Sequence, residues 1–198
     1  MAINQRSRLG IVVLAILVII AAYLAIAYNG LVKDEENVKN AWNNVQSDYQ
    51  KRTDLVPNLV NTVKGAANFE QTTLTNVVEA RAKATQVKID ASNLSPEKLA
   101  QFQQAQGQLS GALGRLLAVA ENYPTLKATQ NFQDLQHTLE GIENGIRNSR
   151  NNFNGAVNEY NVRVRSFPMN ILSGLFGFKP KTGFTAEPGS DKAPEVKF

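Results

Sequence analysis

The residues whose types and spacing come nearest to chemistry are His137, Glu140 and Glu143, in the order His-x-x-Glu-x-x-Glu. A carboxylate beside an imidazole can move a proton or help hold a metal. Metal sites inside helical bundles, however, take two Glu-x-x-His turns and two further Glu residues. This chain has 198 residues, one His and no Cys. That excludes two-His and thiolate metal sites, disulfides and Cys nucleophiles. His137 also falls between core-facing positions 135 and 139, which turns it toward solvent. No catalytic, metal or cofactor-binding residue is assigned, and neither an enzyme activity nor a cofactor is expected.

Arg52 and Asp54 are the second pair of interest. Arg52 interrupts an otherwise apolar stripe, and Pro57 follows a turn later. Either the two charges form a buried ion pair that fixes a bend or binds a partner, or Arg52 lies along the bundle end with its charge in water. Trp42 falls on the same stripe and is read as core.

The elements that must position these residues are helical. Leu31, Val38, Trp42, Val45, Tyr49, Arg52, Val56, Leu59 and Val63 step by threes, fours and one seven. Leu74, Val77, Arg81 and Ala84 form a second stripe, and Leu99, Phe102, Gln106, Leu109, Leu113, Leu116, Ala120 and Tyr123 a third. The fourth runs Phe132, Leu135, Leu139, Ile142, Ile146, Ser149, Phe153, Ala156, Tyr160, Val164, Phe167. Each stripe must be buried against the others. The expected fold is all-α: an N-terminal transmembrane helix followed by an antiparallel four-helix bundle of long helices over residues 29–167. Ser95-Pro96 reads as a helix start, Tyr123-Pro124 as a boundary, Gly65 as a helix-ending residue and Asn68 with Gln71 as a capping box. Asp54 with Pro57 offers a competing break between helices one and two. The Gly65 break is preferred, because helix one then rises about 50 Å and helix two descends about 35 Å without reaching the lipid.

Ile11 to Tyr28 is an 18-residue run without a charge. At 1.5 Å per residue it spans about 27 Å, close to the hydrocarbon thickness of a bilayer. A cleaved signal peptide is the competing reading, with Ala25-Ile26-Ala27 as its cleavage site. The run is longer than a usual signal core and the helical pattern continues past it, so an uncleaved anchor is expected. Arg6 and Arg8 precede it and Lys33, Asp34, Glu35 and Glu36 follow. The positive-inside rule then puts residues 1–10 in the cytoplasm and the bundle outside the bacterial inner membrane, in the periplasm.

The net charge is +4. Arg6 and Arg8 contribute +2 and the segment from Pro168 a further +1, leaving +1 for everything between. No basic cluster interleaved with aromatics is left, so nucleic acid is not expected as a partner. The 21 Asn and 13 Gln instead coat the helices with amides, notably Asn43, Asn44, Asn148, Asn151, Asn152, Asn154 and Asn158. Solvation or a hydrogen-bonding interface between copies would each explain them. After Phe167-Pro168, residues 168–178 carry Ile171, Leu172, Leu175, Phe176 and Phe178, an apolar patch expected to meet lipid or another subunit. Residues 179–198 are expected to be extended or disordered.

Several stretches resemble the LemA family: Tyr28-Asn29-Gly30-Leu31-Val32, Ala41-Trp42, Lys51-Arg52-Thr53-Asp54-Leu55-Val56-Pro57-Asn58-Leu59-Val60, Thr62-Val63-Lys64-Gly65, Ala80-Arg81, Tyr160-Asn161, Phe167-Pro168, Asn170 and Gly177-Phe178. The block around Arg52, Asp54, Pro57, Asn58 and Gly65 is the most specific. The chain has Ala66 and Asn68 where an aromatic and a histidine are common. The resemblance implies one N-terminal transmembrane helix, an antiparallel helical bundle and no established reaction. It also implies a membrane protease or envelope-stress protein as a partner for some members. Together with the patch at 168–178, the reading is a membrane-anchored helical scaffold or adaptor that self-associates.

Overall fold

The computed structural model describes residues 5–66, 69–91 and 94–185, with side chains from residue 9 onward. Six helices account for most of them: α1 Gln5–Lys64, α2 Gln71–Gln86, α3 Pro96–Ala120, α4 Pro124–Lys127, α5 Gln130–Arg165 and α6 Met169–Phe176. No strand occurs among the described residues. The four expected stripes fall on α1, α2, α3 and α5.

The membrane segment and the first bundle helix are one helix of 60 residues. At 1.5 Å per residue α1 is about 90 Å long, and the backbone has no break at residue 28. Between Leu9 and Ile26 its apolar side chains are nearly all exposed, on every face of the helix. From Leu31 onward only one face is apolar and that face is buried. A helix apolar all round needs an apolar surround, and no other described element of the chain covers it.

The bundle has two apolar clusters. The membrane-proximal one joins Leu31 to Tyr49 of α1 with Leu99 and Phe102 of α3 and Ile146 to Val164 of α5. The distal one joins Leu55 to Val63 with Leu74 to Ala84 of α2, Leu109 to Ala120 of α3, and Phe132 and Leu139 of α5. The bundle part of α1 thus begins, at Leu31, against the end of α5, and the end of α1 meets the starts of α2 and α5. The four long helices therefore run alternately away from and toward the membrane. Trp42 is fully buried in the proximal cluster, edge-on to Phe102 at 5.3 Å and tilted against Phe153 at 5.4 Å.

Helix boundaries follow local chemistry, with corrections. Ser95 caps α3, its hydroxyl accepting from the Lys98 N–H at 3.3 Å, with Pro96 in the first turn. α1 runs through Asp54 and Pro57 to Lys64, so the break lies at Gly65 and the Asp54 alternative is not used. Gly65 is not in the left-handed region. Its missing side chain matters because a Cβ there would lie 3.2 Å from the Thr62 carbonyl oxygen. The expected capping box fails: α2 starts at Gln71 with Glu70 before it, and Asn68 lies outside the described residues. Helix two is also shorter than expected. It spans 16 residues, about 24 Å, because the chain turns extended at Val87. The extended stretch still descends: Ile89 is buried beneath Trp42, and its carbonyl accepts from Trp42 Nε1 at 3.2 Å and Gln46 Nε2 at 2.8 Å.

Pro57 sits inside α1. It has no N–H, so the carbonyl of Thr53, four residues back, loses its helical partner. Arg81 of α2 supplies a replacement: its Nε donates to the Thr53 oxygen at 2.8 Å. The helix therefore passes through the proline, and the freed acceptor becomes a tie between α1 and α2. Arg81→Ala should cost about 1–2 kcal/mol, a charge-assisted hydrogen bond discounted for partial exposure. In a Pro57→Ala background, where residue 57 can again donate to Thr53, most of that cost should vanish in chemical denaturation followed by circular dichroism. Equal costs in both backgrounds would mean that Arg81 acts elsewhere.

Candidate functional site

The structure does not bring His137, Glu140 and Glu143 together. The His137 side chain is 78% exposed, with Nδ1 3.6 Å from a Glu140 oxygen, and Glu143 turns away toward Arg52. Among the described residues no three His, Asp or Glu side chains converge as metal ligands would.

Arg52 is 2% exposed, and Asp54 is not its partner. Asp54 points to solvent and accepts from Gln50 Nε2 at 2.7 Å, one turn along the same helix. Arg52 instead reaches across the bundle. One terminal nitrogen donates to Glu143 of α5 at 3.0 Å, the other to the backbone and side-chain oxygens of Gln106 of α3 at 3.0 and 2.6 Å. Its guanidinium lies 5.0 Å from the centre of the Tyr49 ring. Gln106 Nε2 points on to the Ala84 carbonyl of α2 at 3.4 Å. Arg52 thus heads a polar layer that touches all four long helices between the two apolar clusters, not a bundle end. Pro57 and Asn58 are exposed on the outer face of α1.

The second polar feature lies near the membrane. α6 folds back on the end of α5, where the Ser173 hydroxyl donates to the Val164 carbonyl at 2.9 Å. Gly177, at φ +80°, ends α6 in the left-handed region that favours glycine. That turn brings Phe178 beside Phe176, and both rings pack edge-on against Tyr28 at 5.7 and 5.2 Å. The apolar segment is therefore seated at the last turn of the membrane run. Its outer surface carries Ile171, Leu175, at 77% exposed, and Phe176; Leu172 and Phe178 are half-buried against the bundle. Phe167, expected inside the fourth stripe, is 81% exposed because α5 stops at Arg165, and it joins this patch. Just above it, Asp34 pairs with Arg163 at 2.9 Å and Glu35 with Lys181 at 2.8 Å.

Of the two states expected for the tail, the described part takes the extended one. Residues 179–185 are extended but ordered against α5, while 186–198 lie outside the described residues. Asn161 donates to the Lys181 carbonyl and accepts from its N–H, both at 2.8 Å. Asn154 does the same for Phe184, at 3.0 and 2.7 Å. Seven helical residues rise about 10.5 Å, and three extended residues span about 10 Å, so the two clamps are in register. Phe184 is buried against Phe153 and Trp42. Asn154 is thus a strap clamp, while Asn43, Asn44, Asn148, Asn151, Asn152 and Asn158 are exposed. Paired asparagines seven apart beside the stripe were the available signal for this strap. Glu143 had none, because its partner is 91 residues away.

Tyr160 is fully buried between the strap and α1, and its hydroxyl has no hydrogen-bond partner. Lys181 Nζ sits 5.3 Å from its ring centre. Burial, with a smaller contribution from Glu35, pushes the phenol up to about 12. In the unfolded chain the phenol ionises near 10. The folded state therefore holds its proton longer, and this contribution to stability is full below about pH 10 and lost as pH rises toward 12. Tyr160→Phe should leave stability at neutral pH equal or higher, since it removes an unpaired buried hydroxyl. It should also flatten the alkaline loss of stability, read from denaturation midpoints at several pH values. A parallel loss in both proteins would mean that the phenol ionises freely in the folded state.

A family model described as the LemA family matches residues 41–198. Magnetosome protein MamQ 2 of Paramagnetospirillum magneticum is 26% identical over 204 residues, covering 91% of this chain and 74% of that protein. Magnetosome protein MamQ of Magnetospirillum gryphiswaldense is 26% identical over 200 residues, covering 92% and 73%. Protein LemA of Metamycoplasma hominis is 24% identical over 145 residues, covering 73% of this chain and 63% of that protein.

Proposed function

The chain belongs to the LemA family, and we propose that it is a non-catalytic scaffold of the bacterial envelope, anchored by residues 11–28 and self-associating through the apolar patch of α6. The observation that carries this reading is the continuity of α1. One helix is both membrane span and bundle wall, so the bundle is held upright on the bilayer rather than tethered by a linker. A rigid post of this kind suits a protein whose work is position and contact. The names of the relatives, magnetosome proteins and a LemA protein, carry no reaction and are in keeping with that reading. Arg6 and Arg8 before the span support an inward N-terminus and an extracytoplasmic bundle.

The α6 patch is the proposed contact surface. Phe167, Ile171 and Leu175 are exposed beside Tyr28, at the height where the apolar run ends. An apolar surface there is a hazard in water and is stabilised by lipid or a neighbouring copy. The test uses the full chain with Leu175→Trp in vesicles of brominated-acyl lipid. Trp42 lies 14 residues beyond Tyr28, about 20 Å up the helix, so it reports the unquenched level. Strong quenching of the new tryptophan is expected, as is a detergent-solubilised mass above the monomer that falls in Leu175→Asp/Phe176→Asp. Absent quenching together with a monomeric mass would refute the contact role of this surface.

A further inference from the structure

A cavity of about 430 Å³ opens between α3, α5 and the strap, at the height of the polar layer. That is within the size range of small-molecule sites, roughly 300–1,000 Å³. Its charges are unbalanced. Arg52, Arg147 and Arg150 line it against one carboxylate, Glu143, and that carboxylate is already engaged by Arg52. Arg147 and Arg150 form no ion pair among the described residues, although they stand one turn apart on α5 and face the same space. Arg150 is held in place by stacking: its guanidinium lies 4.7 Å from the centre of the Phe184 ring. Arg52, buried in the cavity wall, has an Nε without a partner. Gln103 and Ser110 add neutral polar groups to the lining.

We propose that this cavity binds a small soluble oxyanion, a phosphate or phosphate ester, between Arg147 and Arg150. Guanidinium forks suit tetrahedral and planar oxyanions, which accept two parallel hydrogen bonds from each fork. Arg52 and Glu143 form the back wall and leave the anion to the two α5 arginines. The ligand comes from solution and not from the lipid headgroups of its own bilayer. Tyr49 and Arg52 lie more than twenty residues beyond Tyr28 on a continuous helix, over 30 Å away at 1.5 Å per residue. Phe184 and Thr185 of the strap form one wall, with Gln103 Nε2 donating to the Thr185 carbonyl at 3.2 Å. This site is independent of the scaffold reading, since its geometry involves neither the span nor α6.

The test is calorimetric titration of inorganic phosphate into the full chain in nanodiscs of neutral lipid. Saturable binding of one phosphate per chain is expected, weakened at least tenfold in Arg147→Gln/Arg150→Gln with helicity and melting unchanged. Arg115→Gln on the exposed face of α3 removes the same kind of charge outside the cavity and should bind as the wild type does. Nanodiscs containing phosphatidylglycerol should give the same affinity. No saturable binding, an equal loss in Arg115→Gln, or competition by the anionic lipid would each overturn the proposal. If the double variant melts early, Arg147→Gln alone, at an exposed position, must still weaken binding for the proposal to stand.

Discussion

A guanidinium buried in the middle of an apolar seam sets the terms for this bundle. Arg52 cannot keep its charge away from water unless acceptors arrive from other helices at the same height. Gln106 of α3 and Glu143 of α5 meet that need, and Gln106 extends toward α2. A shift of one turn in any of these helices, about 5.4 Å, would strand the charge. The apolar residues on either side set no such register, since Leu and Val against Leu and Ile tolerate sliding. The division of the core into a proximal and a distal cluster therefore coincides with the layer that fixes how the helices align.

That alignment reaches the membrane because α1 is unbroken. Pro57 could have ended it, and Arg81 supports the carbonyl that the proline leaves free. Below the polar layer, Asp34–Arg163 and Glu35–Lys181 tie α1 to the end of α5 and to the strap, and Tyr28 meets the rings of α6. The strap touches both of the proposed sites. Lys181 lies beside the membrane-proximal ion pairs, and Phe184 and Thr185 wall the oxyanion cavity.

Much of this architecture was legible in the sequence because its determinants are local. Apolar spacing marked the four long helices and placed Trp42, Gln106 and Ser149 inside. Ser95-Pro96 marked a helix start, and the uncharged run marked the span. The misreadings of Arg52 and of the tail share a physical cause: they concern partners far apart along the chain. Arg52 beside Asp54 suggests a local pair, but residues two apart on a helix face different directions. The true partner, Glu143, stood in a His-x-x-Glu-x-x-Glu motif that drew attention to chemistry. The strap looked featureless because its order comes from Asn154 and Asn161 on another element. Phe167 continued the fourth stripe in spacing, but spacing does not report that Pro168 disfavours helix at the residue before it.

The most direct test of the polar layer as the organising constraint is a double-mutant cycle on Arg52→Met and Glu143→Met, followed by denaturation of the full chain. Removing Glu143 alone should cost about 3 kcal/mol, the low end for a broken buried pair because this carboxylate is partly exposed. The double variant, with no charge left to strand, should recover more than about 1 kcal/mol relative to the sum of the single changes. Additivity within about 0.5 kcal/mol, as for an exposed ion pair, would contradict the view that this buried charge sets the register of the bundle.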